Sequence, residues 1–223
     1  MTSPPAGDVD LDEDDAFDHR LPLRIQMKSS IHLTPVAVAR RAAHLLAPEP
    51  GMRVLDVGAG PGKLCVIAAR EVPTCTFVGV ELRPHLVRVA RKLAARLAVT
   101  NASFVEGDAF DLDWSGYDAF YFYNPFAEQL HDTDFALDQT LTLVPSRFLE
   151  YVLQVRQRLA GARLGTRVVT YHSFGAPAPD GYDLVECHPI GTDSLELWIK
   201  RRHAAPGPSD PSDPSADVTS ASR

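Results

Sequence analysis

Residues 54–63 read Val-Leu-Asp-Val-Gly-Ala-Gly-Pro-Gly-Lys, a hydrophobic run that breaks into three alternating glycines. Glycine tolerates positive φ and has no side chain, so a ligand can lie against the backbone of such a turn. Asp56, two residues before Gly58, is placed to order a ligand or the turn itself. A nicotinamide-binding fingerprint needs its third glycine five residues after the first, and that position is Lys63. A phosphate loop needs Ser or Thr after Gly-Lys, and Leu64 stands there. The spacing is therefore Gly-x-Gly-x-Gly, with Gly58, Ala59, Gly60 and Gly62 as the candidate cradle.

Downstream lie groups able to bind polar ligands or to move protons. They are Glu81, followed by Leu82; Asp108, followed by Ala109; Tyr123 and Asn124 of Tyr-Asn-Pro-Phe; and Tyr171 with His172. His131 is a further candidate base within the long connection from Ala127 onward. Lys63 reads as a helix-face lysine. No metal-ligand spacing is present, and Cys65, Cys75 and Cys187 form no paired motif.

These groups need elements to position them. Thr34-Pro35 opens a helix, Thr as the cap and Pro at the first helical position. Arg53–Val57 reads as a strand, residues 61–70 as a helix and Thr76–Val80 as the next strand. From Pro84 onward Leu86, Ala90, Leu93 and Leu97 share one helical face, with Arg88, Arg91, Lys92 and Arg96 outside. Residues 103–105, 117–123 and 166–171 are further strands, and a helix carrying Phe148, Val152, Val155 and Leu159 closes at Gly161. Runs at 182–187 and 195–200 read as an antiparallel pair. The alternation predicts an α/β, doubly wound fold: a seven-stranded mixed sheet of five parallel strands plus a C-terminal antiparallel hairpin, in a three-layer αβα sandwich. Ligands of such sheets lie at the carboxyl ends of the strands.

The glycine turn resembles motif I of class I S-adenosylmethionine-dependent methyltransferases, and the order of Glu81, Asp108 and Asn124-Pro125-Phe126 after it matches that family over residues 30–202. The resemblance implies S-adenosylmethionine as cofactor. It implies a cofactor site of Asp56, Gly58, Ala59, Gly60, Gly62, Glu81, Leu82, Asp108, Ala109 and Asn124. Within it Glu81 would meet the ribose hydroxyls and Asp108 the adenine amino group. Asn124, Tyr123 and His172 are the catalytic candidates. Asn124-Pro125-Phe126 is similar to a shortened form of the Asn-Pro-Pro-aromatic motif of amino-group methyltransferases, which hints at an amine; the acceptor expected overall is an amine or hydroxyl nucleophile. The alternative within the same fold is a regulatory or scaffold protein that binds the cofactor and transfers nothing.

Composition sets the remaining expectations. The chain is 45% hydrophobic, with a formal net charge of -7 from 22 basic and 29 acidic side chains. Residues 1–19 hold seven acids and no Lys or Arg, whereas residues 20–203 are slightly basic, at a net +2. Residues 1–19 thus read as a disordered acidic arm, 20–203 as the S-adenosylmethionine-binding domain, and 204–223, built of Pro, Ser, Asp and small residues, as a disordered tail. A body without a strongly basic face leads to the expectation of a small-molecule or protein-side-chain acceptor and no nucleic acid. No run of apolar residues is long enough for a bilayer, and the N-terminus lacks a basic start and apolar core, so no membrane partner and a cytoplasmic location are expected.

Overall fold

A computed structural model describes residues 13–130, 137, 140 and 144–203. The chain runs α1 (Asp14–Asp18), α2 (Leu23–Gln26), α3 (Ser29–His32), α4 (Val36–Leu46), β1 (Arg53–Val57), α5 (Lys63–Glu71), β2 (Thr76–Glu81), α6 (Pro84–Arg96), β3 (Ala102–Glu106), β4 (Ala119–Tyr123), α7 (Pro145–Gly161), β5 (Arg167–Tyr171), β6 (Tyr182–Ile190) and β7 (Asp193–Lys200). Short 3-10 turns lie at Ala109–Asp111, Trp114–Gly116 and Ala127–Leu130.

The strands form one seven-stranded sheet in the order β3-β2-β1-β4-β5-β7-β6. Neighbours from β3 to β5 pair in parallel, and β7 pairs antiparallel with both β5 and β6. The order reverses between β1 and β4, which opens a crevice at their carboxyl ends. The predicted fold class is the observed one. The hairpin strands run further than expected, because Pro189 is accommodated in the edge strand β6, where a missing N–H costs no ladder bond.

Alternation along β1 and β4 feeds two cores. Val54, Phe77 and Tyr121 pack with α4, α5 and α6 on one face of the sheet. Leu55, Val57, Phe120 and Phe122 pack on the other face with α7, Trp114 and Tyr117. Both faces are covered, which is why these strands are mostly apolar along their length.

The acidic arm departs from expectation where it meets the body. Its end, Asp14–Asp18, is the helix α1, and Phe17 within it is fully buried. Lys63 at the start of α5 is buried too, donating to Asp14 Oδ1 at 2.6 Å and Asp18 Oδ1 at 2.8 Å. Asp14 Oδ1 also accepts from Val36 N at 2.9 Å, at the first turn of α4. The capping oxygen for α4 therefore arrives from α1, while the Thr34 hydroxyl pairs with Tyr121 Oη at 2.9 Å. Charge patterning marked 13–19 as solvated, but buried Lys63 supplies the counter-charge and Phe17 the apolar anchor. Residues 1–12 of the arm, the 204–223 tail and His131 lie outside the described residues.

Candidate functional site

The turn after β1 is fixed by β2. Gly58 N and Ala59 N both donate to Val80 O at 3.0 Å, and Gly62 N donates to Ala59 O at 2.9 Å. Gly58, Gly60 and Gly62 all have positive φ, of 79°, 54° and 82°. Gly79 on β2 makes the close approach possible, since a Cβ there would meet Ala59 Cβ at 2.6 Å. The three turn glycines serve different ends. A Cβ on Gly60 would meet nothing within 4 Å, whereas one on Gly62 would sit 2.6 Å from the Phe104 ring.

Beside this turn, at the strand ends, is a cavity of about 310 Å³. Its first wall carries Gly58, Gly60, Glu81, Leu82, Asp108 and Ala109. Glu81 is buried, and two backbone groups orient its carboxylate. Gly60 N donates to Oε2 at 3.0 Å and Arg83 N to Oε1 at 2.9 Å. Burial pushes the Glu81 carboxyl up from its usual range, opposed by the Arg83 charge and by these two N–H groups. Asp108 Oδ1 caps the following 3-10 turn by accepting from Phe110 N at 3.0 Å. The rings of Phe110, Phe126 and Tyr151 then form a mutual cluster at this end, with centroids 5.1–6.3 Å apart.

The second wall comes from β4 and β5. Tyr123, Asn124 and His172 line the cavity here. Tyr123 Oη donates to Ile31 O at 2.8 Å, tying β4 to α3. Burial, then Tyr171 and Asp193, push its phenol up to about 12, so it remains a donor at neutral pH. His172 Nδ1 pairs with Asp193 Oδ2 on the β6–β7 hairpin, and its ring packs against Tyr171 and Tyr123. Asn124, His172 and Ser173 hold positive φ values of 41°, 59° and 58°, and Asn124 N donates to Ser173 O at 2.9 Å. Left-handed backbone at three neighbouring non-glycine residues costs of order 1–3 kcal/mol each, and such strain collects at binding sites.

Three residues expected at the cofactor do not reach the cavity wall. Asp56 faces the α4–α6 layer and accepts from Cys65 Sγ at 3.4 Å, and burial pushes its carboxyl up to about 7. Ala59 packs on Gly79, and Gly62 on Phe104 and Ala90. The remaining seven positions, Asn124 included, converge on it. His32, Glu128 and Gln129 line the same cavity from two segments expected near it, 31–34 and the connection from Ala127 onward, without being singled out as residues, and Arg83 was missed. The acids and bases among them were visible as residue types, but nothing local linked positions 32, 83 and 128.

The cavity suits an adenosyl group on its own geometry. A buried carboxylate already oriented by backbone donors can accept from a vicinal diol, the open space at Gly60 admits a ligand against the backbone, and the aromatic cluster offers a flat apolar wall. Residues 48–147 match a family model described as a methyltransferase domain. Residues 48–147, a little under half of the chain, are thus similar to a methyltransferase domain. The release factor glutamine methyltransferase of Vibrio cholerae is 33% identical over 93 residues, 40% of this chain and 32% of that protein. This chain thus spans about a third of that relative's length. The RNA methyltransferase of Salinibacter ruber, solved with S-adenosyl-L-homocysteine, shares the fold at a TM-score of 0.51 and 24% identity, over 78% of this chain and 94% of that one. A 23S rRNA (uracil(1939)-C(5))-methyltransferase from a Shewanella strain is 36% identical over 84 residues, 38% of this chain and 18% of that protein.

That last similarity overturns the expectation that nucleic acid is excluded as a partner. A near-neutral body does not by itself exclude a nucleic-acid acceptor. Among the described residues, no helix is long and apolar enough to cross a membrane.

Proposed function

We propose that the chain catalyses S-adenosylmethionine-dependent methyl transfer to an amine or hydroxyl nucleophile presented beside Asn124. The observation that carries this reading is Glu81, buried at the cavity wall with both oxygens set by Gly60 N and Arg83 N. In this reading Glu81 accepts the ribose hydroxyls, Gly58 and Gly60 admit the cofactor against the backbone, and Leu82, Asp108 and Ala109 border the adenine. Bound S-adenosylmethionine supplies a methyl group already activated by its sulfonium charge. The residues of the second wall then have to orient the acceptor and exclude water. Asn124 offers a side-chain carbonyl and amide for that purpose, held by the hydrogen bond of its backbone to Ser173 O. Tyr123, protonated and anchored on Ile31 O, fixes the ring wall beside it. His172, braced by Asp193, brings an imidazole to the same wall.

The test is a methyl-transfer assay that follows formation of S-adenosylhomocysteine with amine, hydroxyl, protein and RNA acceptors. Turnover on an amine or hydroxyl, reduced at least about tenfold by Asn124→Ala, is the expected result. Turnover unchanged by Asn124→Ala would remove Asn124 from the acceptor site. Cofactor uptake with no turnover on any acceptor class would leave a binding protein in place of an enzyme.

A further inference from the structure

Glu128 lies outside every motif above, yet its carboxylate is where three distant segments meet. Its Oε2 accepts from Arg83 Nη2, and its Oε1 accepts from Leu137 N at 3.0 Å and lies 3.5 Å from His32 Nδ1. The four side chains of this chain of charges are well sheltered, with exposures of 7% for Glu81, 8% for Arg83, 16% for Glu128 and 10% for His32. All four line the cavity.

The arrangement poses a choice for the Arg83 guanidinium. It stands between two carboxylates, bonded to Glu128 through Nη2 while its Nη1 remains 3.6 Å from Glu81 Oε1. In a sheltered site a guanidinium is drawn strongly to the nearest carboxylate, and a direct two-pronged pair would occupy the acceptor lone pairs of its partner. Glu81 already spends one lone pair on each oxygen for Gly60 N and Arg83 N. A carboxylate has about four such sites, so what remains is what a vicinal diol would need.

We propose that Glu128 is a positioning residue that holds the Arg83 guanidinium away from Glu81 and so keeps the Glu81 carboxylate open to the ribose diol. The inference rests on the reading of the cavity as the S-adenosylmethionine site. The same carboxylate joins α3, the start of α6 and the Ala127–Leu130 turn along one rim of the cavity, so the rim and the diol acceptor are set by one group.

Calorimetric titration of the full chain with S-adenosylhomocysteine tests this without any acceptor. Glu128→Ala should weaken binding by about tenfold, because Arg83 then turns to Glu81 and competes with the ligand. Arg83→Ala supplies the reference, and the double variant Arg83→Ala/Glu128→Ala should bind as Arg83→Ala alone does, so that the Glu128 loss disappears once the guanidinium is gone, a strongly non-additive cycle. Glu128→Gln, which keeps an acceptor for Leu137 N without the charge, should fall between the parent and Glu128→Ala; it also serves if Glu128→Ala proves poorly folded. Losses that add in the double variant, as a purely structural role would give, would overturn the proposal. So would Glu128→Ala and Glu128→Gln binding as tightly as the parent. A parent chain that takes up no S-adenosylhomocysteine would overturn the reading of the cavity itself, and this inference with it.

Discussion

On the wall built by β1, β2 and β3, every group facing the cavity lies within a few residues of a strand end. The glycine turn, Glu81 and Asp108 are held by backbone donors from their own turn or the adjacent strand, such as Gly60 N on Glu81 and Phe110 N on Asp108. On the wall built by β4 and β5, the holding contacts cross the chain. Tyr123 is anchored 92 residues away on Ile31, His172 leans on Asp193 of the hairpin, and Glu128 reaches Arg83 across 45 residues. The first wall is a local device of backbone geometry and short motifs. The second is an assembly of side chains brought together by the whole fold. The match of residues 48–147 to a methyltransferase domain covers the first wall entirely and stops before β5. A wall that needs only local contacts can be shared among proteins whose opposite walls differ.

The contrast can be broken from outside the cavity. Besides the Arg83–Glu128 contact, the first wall has a distant brace in α1, through Lys63 at the end of the glycine turn. Deleting residues 1–19 removes the fully buried Phe17 and leaves a buried ammonium without its carboxylates, which should cost about 3–5 kcal/mol in urea unfolding. Deleting 1–12 alone should cost less than about 0.5 kcal/mol. Equal stability of both truncations would remove α1 as a brace of that wall.

Asp56 sharpens the comparison through pH. Burial raises its carboxyl from 3.8 to about 7 in the folded chain, so the folded state holds the proton more tightly than the unfolded state does. The associated stability is fully present below about pH 4 and lost as pH rises through about 7, a change of up to ~4 kcal/mol. Asp56→Asn should remove that slope from a series of urea titrations between pH 4 and 8. A slope that survives the substitution would assign the pH response to other groups.

Within the turn itself, two glycines separate packing from ligand access. Gly62→Ala places a methyl group against Phe104 and Ala90 at positive φ and should cost about 2–4 kcal/mol of stability. Gly60→Ala meets open space and should cost only about 1–2 kcal/mol, from its backbone alone, while weakening S-adenosylhomocysteine binding more than Gly62→Ala does per unit of stability lost. The reverse ranking in binding would exchange the roles given to the two positions.

The same division explains what the amino-acid sequence made legible. The strands and long helices, and hence the sheet, were readable because each is a contiguous apolar pattern bounded by Gly or Pro. Gly58, Gly60, Glu81 and Asp108 were readable because a strand end and a turn place them without help. Asp56 was misplaced because the motif marks its position and not its facing; alternation along β1 turns it toward Cys65. Glu128, His32 and Arg83 were illegible as a group because only the tertiary fold brings them together. The docking of α1 was hidden for a related reason: seven acids dominate residues 1–19, and a single Phe17 carries no periodicity.

The claim underneath all of this is that Glu81, set by Gly60 N and Arg83 N, receives the adenosyl ribose. Calorimetric titration of the parent chain and of Glu81→Ala with S-adenosylmethionine tests it directly. Saturable binding by the parent, weakened by about 1.5–3 kcal/mol in the variant, is the predicted result. Equal affinity in the two chains, or no heat from the parent at millimolar ligand, would contradict it.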